Sequence, residues 1–330
     1  MTPAKLAICV NPMAGRDVRR LAARASTMTF EAKRDAVARI AAGADAVGVT
    51  DIYVADEPFR IASVALEWLP LRARVHRLKT PINHDASDTE AAVAAFLECG
   101  VGAFVSLGGD GTNRAIARAT SDVDLVPLST GTNNVFPVLA EPTVAGMAAG
   151  LAARGQLDDT LKPRCKVLHV EFQDGVADLA LVDAAYLSED FTGNMRPFDA
   201  SKLRQIMLTR AEPDAIGMSP VGGYLTVVES ADDHGLLLRM GPGRKIKAPV
   251  SPGLFRDVSA AHADVVPFDT PVLFQGTGVL ALDGDRDHKL GPARGAHVTL
   301  RRDGPRVVDV GAAMRFAART GLLASNALAN

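Results

Sequence analysis

The stretch Ala103-Phe104-Val105-Ser106-Leu107-Gly108-Gly109-Asp110-Gly111-Thr112-Asn113-Arg114-Ala115-Ile116-Ala117-Arg118-Ala119 decides how the rest of the chain is read. Its first five residues form a short apolar run suited to a buried strand, and Asn113 to Ala119 suits a helix. Between them stand three glycines, a carboxylate and a hydroxyl. A strand, a Gly-rich turn and a helix start in that order make an anion site: glycines let the backbone approach a phosphate, the helix N-terminus presents unpaired N–H groups, and Thr112 adds a hydroxyl donor. A turn serving only tight strand-to-helix packing is the plainer alternative. Asp110 is the anomaly. A carboxylate in an anion-binding loop costs electrostatic energy unless it has a task there, such as holding a Mg²⁺-bound water or accepting a proton from an attacking hydroxyl. Phosphoryl transfer needs both.

Outward from this segment, the first half of the chain repeats the same alternation of short strands and Ala-rich helices. Strands are expected at Leu6–Val10, Asp51–Ala55, Ala73–Leu78, Ala103–Leu107 and Leu125–Leu128. Helices are expected at Thr29–Ala42, Glu90–Cys99 and Val144–Ala153, with Ser87-x-x-Glu90 as a capping box and Pro58 in a helix's first turn. From about Leu161 the pattern changes to short runs separated by Gly, Pro and Asp: Lys166–Phe172, Leu179–Leu187, Tyr224–Glu229, Leu236–Met240, Val272–Phe274, Val279–Leu282, His297–Arg301 and Val307–Val310. The expected fold is therefore α/β, an open parallel sheet over residues 1–158, followed by an all-β, sandwich-like domain over 159–330. A last helix near Gly311–Leu323 is placed to pack back on the first domain.

Composition narrows the function. The 330 residues allow about two domains. Thirty-six basic and 38 acidic residues leave a net charge of −2, which offers no global field to draw nucleic acid or an acidic membrane. Aromatic residues are only 5% of the chain, too few for a base-stacking platform. Cys9, Cys99 and Cys165 lack zinc spacing and read as small buried residues in a reducing, cytoplasmic setting. The apolar run Leu6–Val10 is too short for a signal peptide or a membrane span. His84, His169, His234, His262, His288 and His297 show no paired metal spacing, and His76 reads as a structural histidine inside a strand.

Two further loops follow strands. Asn11-Pro12-Met13-Ala14-Gly15 comes after the first, and Leu128-Ser129-Thr130-Gly131-Thr132-Asn133-Asn134 after the fifth. Taken singly, each can be a turn or a capped helix start. Three such loops at the carboxyl ends of parallel strands converge where open α/β sheets bind ligands. In the second half, Ala281-Leu282-Asp283-Gly284-Asp285-Arg286 is either a hairpin turn or an acidic segment facing that site. Lys245, Lys247, Arg286 and Lys289, and near the first loop Arg16, Arg19, Arg20 and Arg24, are candidates to neutralise phosphates, though solvated surface charge accounts for most of them.

These four segments together resemble the superfamily that contains NAD kinases, diacylglycerol and sphingosine-type lipid kinases and, more distantly, phosphofructokinases. The resemblance implies that Asn11, Gly108, Gly109, Gly111, Thr112, Gly131, Thr132, Asn133 and Asn134 bind nucleotide. It makes Asp110 and Asp285 the catalytic candidates, with Asp110 touching a metal through water, and it implies ATP and Mg²⁺, with NAD as a candidate substrate. The second-domain strand reads Leu181-Val182-Asp183-Ala184 where NAD kinases carry an Asn-Glu pair, and Ala215–Gly223 does not match their later Thr/Ser/Tyr-rich segment. Asn133-Asn134 likewise departs from the lipid-kinase Asn-Asp. The chain looks most like the acetoin-catabolism protein X branch of the superfamily. The expected function is an Mg²⁺-dependent kinase acting on NAD or another small-molecule hydroxyl. A non-catalytic ATP or NAD sensor and a lipid kinase stand as alternatives. No nucleic-acid partner is expected, a membrane is disfavoured, and the resemblance makes a homo-oligomer reasonable.

Overall fold

The computed structural model describes residues 3–14, 28–131, 133–194 and 199–324. The first half runs β1 (Lys5–Val10), α1 (Phe30–Ala46), β2 (Asp51–Ala55), α2 (Ile61–Leu66), β3 (Arg74–Leu78), α3 (Ala86–Glu98), β4 (Ala103–Gly108), α4 (Asp110–Ala119), β5 (Asp124–Ser129) and α5 (Pro142–Ala153). The strands β1, β2, β4 and β5 are buried on both faces because helices cover both, whereas β3 at the edge of the sheet is largely exposed. Leu6 and Ile8 of β1 pack with α1, α2 and α5, whereas Ala7 and Cys9 turn toward α3 and α4. All these strands pair in parallel, in the order β3-β2-β1-β4-β5. The order reverses between β1 and β4, and a crevice opens there at the carboxyl ends of the strands.

The second half is antiparallel: β6 (Val167–Phe172), β7 (Ala177–Ala180), β8 (Asp183–Ser188), β9 (Leu203–Leu208), the short helix α6 (Ser219–Gly223), β10 (His234–Ser251), β11 (Leu254–Pro267), β12 (Val272–Phe274), β13 (Gly278–Leu282), β14 (Asp285–Leu290) and β15 (Ala296–Arg301). A six-stranded sheet, β11-β10-β9-β8-β13-β14, faces a four-stranded one, β12-β15-β6-β7. Leu168, Val170, Tyr186, Met207, Leu280 and Val298 fill the space between them. The chain then returns to its beginning. Strand β16 (Arg306–Val307) joins the edge of the parallel sheet beside β5, and α7 (Val310–Arg319) buries Ala313 and Ala317 in the same core as α5.

Several local expectations are corrected. Helix α3 is capped by Asp85, which accepts from the Ser87 amide at 2.8 Å, so Ser87 lies inside the helix and the Ser87–Glu90 box does not form. Helix α2 begins at Ile61, three residues beyond Pro58. The run Leu179–Leu187 breaks into β7 and β8 around Leu181-Val182, whose amides turn to the Asp283 carboxylate. Tyr224–Glu229 is not a strand; only Val228 bridges to Ala211. Leu236–Met240 is the start of the 18-residue β10, which pairs with β11 in a long hairpin. Gly241 and Gly243 are absorbed in a bulge between Met240 and Arg244.

Candidate active site

Helix α4 starts directly at Asp110 with Gly109 as its N-cap and no side-chain cap, so the opening N–H groups of the helix are left for another partner. A β-carbon on Gly108 would lie 2.4 Å from Thr112 Oγ1, and one on Gly109 would lie 2.6 Å from Asn134 Oδ1. These glycines are required because other side chains of the loops occupy the space beside them. Asn11 Nδ2 donates to Thr112 Oγ1 at 2.9 Å, joining the loop after β1 to the start of α4. The same Asn11 accepts from the Met13 and Ala14 amides through Oδ1. Beneath it, the fully buried Lys33 of α1 sends its ammonium to the carbonyls of Asn11, Pro12 and Ala14, at 3.1, 2.5 and 2.7 Å.

The loop after β5 is tied to the same helix by Asp110. Its carboxylate accepts the Phe136 amide at 2.8 Å and the Val135 amide at 3.1 Å. Burial, and then the neighbouring Asp283, push its pKa up to about 7, against the pull of those two amides. Asn134 Nδ2 holds Ser129 Oγ at 2.8 Å, and Asn133 Oδ1 accepts from Ser251, at the tip of the β10–β11 hairpin, at 3.3 Å. Gly131 is held through its carbonyl, which accepts from Ser129 Oγ at 2.5 Å. Gly15, Arg16, Arg19, Arg20, Arg24 and Thr132 lie outside the described residues.

The second domain closes the crevice with acid. Asp283 and Gly284, at φ of 50° and 86°, form the tight turn of the β13–β14 hairpin, so the segment is a hairpin turn and a wall of the site at once. Asp283 points inward and accepts the amides of Leu181, Val182 and Asp183, while burial raises its pKa. Asp285 faces the helix start: a β-carbon on Gly111 would lie 3.3 Å from Asp285 Oδ2. The buried Arg114, one helical turn beyond Asp110, pairs with Asp285 and Asp287 at 3.3 Å each and donates to the Leu282 carbonyl. Sequence reasoning did not single out Arg114, because its partners lie 168 to 173 residues further along the chain.

Together these groups line a cavity of about 720 Å³, to which Asn11, Gly109, Asp110, Gly111, Thr112, Asn133, Asn134, Asp183 and Asp285 all contribute. Arg286 also lines it, paired with the buried Asp190 at 3.3 Å, whereas Lys245, Lys247 and Lys289 do not. Cys9 also lines it, with its thiol pushed up to about 12 by burial. His76 stacks on Tyr53 and bonds Asp51 at 2.7 Å, away from the cavity. Among the described residues, no three His, Cys, Asp or Glu side chains converge to hold a metal ion, and no helix is long and apolar enough to cross a membrane.

The parallel sheet with its switch-point loops is closed by an acidic, β-rich second half, and a different family model matches each of these two parts. The ATP-NAD kinase N-terminal domain matches residues 10–156, and the acetoin catabolism protein X C-terminal domain matches residues 166–303. Acetoin catabolism protein X of Cupriavidus necator is 32% identical over 335 residues, spanning 96% of this chain and 93% of that protein. The chain belongs to that protein's family. Among solved structures, one described as a diacylglycerol kinase from Bacillus anthracis str. Sterne aligns over 93% of this chain and 98% of its own, with a TM-score of 0.48 and 12% identity.

Proposed function

We propose that the protein is an ATP-dependent kinase that transfers a phosphoryl group to a hydroxyl of a small molecule, NAD being one candidate, in the acetoin-catabolism setting its curated relative's name records. The observation that carries this reading is the convergence of three strand-end loops and an uncapped helix start on one cavity whose opposite wall is acidic. ATP would lie with its triphosphate over the start of α4, taken by the N–H groups of Gly109 to Thr112, with Asn11, Gly131, Thr132, Asn133 and Asn134 around it.

Asp110 has both carboxylate oxygens engaged by backbone amides, and no three-ligand protein set is present among the described residues. Asp110 and Asp285 are the residues that would meet a Mg²⁺ ion arriving with the nucleotide, through water. Bound there, the ion would neutralise charge on the transferred group. Asp285, one-third exposed and facing Gly111, is the better placed base. It takes the proton as the acceptor oxygen bonds to the γ-phosphorus and the bond to the β–γ bridging oxygen breaks, with ADP leaving on that electron pair.

The test is a mass-resolved screen of ATP and Mg²⁺ against NAD, NADH, acetoin-related diols and diacylglycerol, seeking a gain of one phosphate. Asp285→Asn is expected to lower kcat about 100-fold or more while leaving ATP affinity within a few-fold. Tight ATP binding with no transfer to any acceptor would favour a nucleotide sensor instead.

A further inference from the structure

Along β8 the side chains alternate between two environments. Ala184 and Tyr186 enter the core between the sheets, whereas Asp183, Ala185 and Leu187 line the cavity. Asp183 is the one charged residue of this strand, and it is only 6% exposed. Its Oδ1 is buried with no hydrogen-bond partner. A buried oxygen in that state costs stability, and such groups are retained where a ligand supplies the missing partner.

The surroundings define what that ligand is. Burial and the like charges of Asp283, Asp110 and Asp285 raise the Asp183 carboxyl well above the ordinary range, and its unpartnered Oδ1 is an acceptor for a hydroxyl. Among the described residues, the three guanidinium groups lining the cavity are engaged with carboxylates: Arg114 with Asp285 and Asp287, Arg118 with Asp178, and Arg286 with Asp190. An anionic substituent entering beside Asp183 would meet a carboxyl cluster whose neighbouring cations are already balanced.

We propose that Asp183 recognises the phosphate acceptor, and that the acceptor is an uncharged polyol: one hydroxyl bonds Asp183 Oδ1 while another is presented to Asp285 and the start of α4. The inference rests on the kinase reading and narrows the acceptor class that reading leaves open.

The test measures ATP affinity by calorimetry, then ATP-dependent phosphorylation of meso-2,3-butanediol, erythritol and D-ribose against D-glycerate and glycerol 3-phosphate. A polyol is expected to be taken in preference to the anions. Asp183→Ala is expected to raise KM for that polyol about tenfold with the ATP Kd unchanged, and Asp183→Asn, which keeps a hydrogen-bonding side chain, to stay within about threefold of wild type. The Tm of Asp183→Ala should not fall, because the change removes an orphaned buried carboxyl from an acidic cluster. Preference for the anions, refusal of every polyol by a protein that binds ATP, or an unchanged polyol KM in Asp183→Ala would overturn the proposal. So would a variant in which Tm falls and both substrates weaken together, since that marks a structural group. Failure of wild type to bind ATP would remove the kinase reading itself, and this proposal with it.

Discussion

Asp110 joins two demands that pull against each other. Its carboxylate holds the Val135 and Phe136 amides, yet burial and Asp283 bring its pKa up to about 7. In the unfolded chain the same carboxyl titrates near its ordinary value of about 3.9. Between those values the folded protein therefore binds more protons than the unfolded one, and stability falls as pH rises through that window. The contribution is complete below about pH 4 and gone above about pH 7. Thermal melts across that range should show Tm declining with pH, and Asp110→Asn should flatten the slope; identical slopes would refute the assignment. Asp183 and Asp283 are raised in the same direction, so some slope will remain. The anomaly of an acid in an anion loop was visible in the sequence. Its partners were not, because the two amides it holds lie 25 and 26 residues further along.

Helix α1 shows the same limit for whole elements. Its apolar spacing and its cap, Thr29 accepting from the Ala32 amide, are local and are readable from residue order. Lys33 in its first turn looks like any solvated lysine, but the fold buries it and turns its ammonium on three carbonyls of the loop after β1. Lys33→Met leaves those carbonyls without that donor. It should destabilise the protein by about 2–4 kcal/mol in urea titrations and weaken ATP binding roughly tenfold by calorimetry. Unchanged ATP affinity would show that the loop holds its shape without the ammonium. The β10–β11 hairpin was missed for a different reason. Its Gly-Pro-Gly and Ser-Pro-Gly segments carry turn chemistry, and only the pairing partner across the hairpin shows that one is a bulge inside a continuous strand and the other the tip.

At the scale of the molecule, the two halves are joined by a buried clamp that no motif announced. Asp178 of β7 accepts Arg118 of α4 at 2.7 and 2.5 Å and bonds His288 of β14 at 2.7 Å, which holds its pKa well below the usual range. Because α4 also opens the candidate phosphate site, the clamp sets that site's distance from the β-domain. Asp178→Ala should cost about 3–5 kcal/mol, since a half-buried guanidinium loses its partner, and should lower kcat with little change in ATP affinity. Chemical denaturation alongside single-turnover assays would check both, and a stability loss below about 1 kcal/mol would count against the clamp. Residue order alone determined the alternation of strands and helices, the parallel sheet with its β-rich successor, and three Gly-containing loops at strand ends, because periodicity and turn chemistry are properties of neighbours. Tertiary structure alone decided that Asp183 is orphaned in the cavity, that Asp110 holds a loop, and that Arg114 balances Asp285 and Asp287. Those facts arise from burial and from partners 25 and 26 residues away for Asp110 and 171 and 173 residues away for Arg114, and a carboxylate's environment, not its identity, sets what it can do.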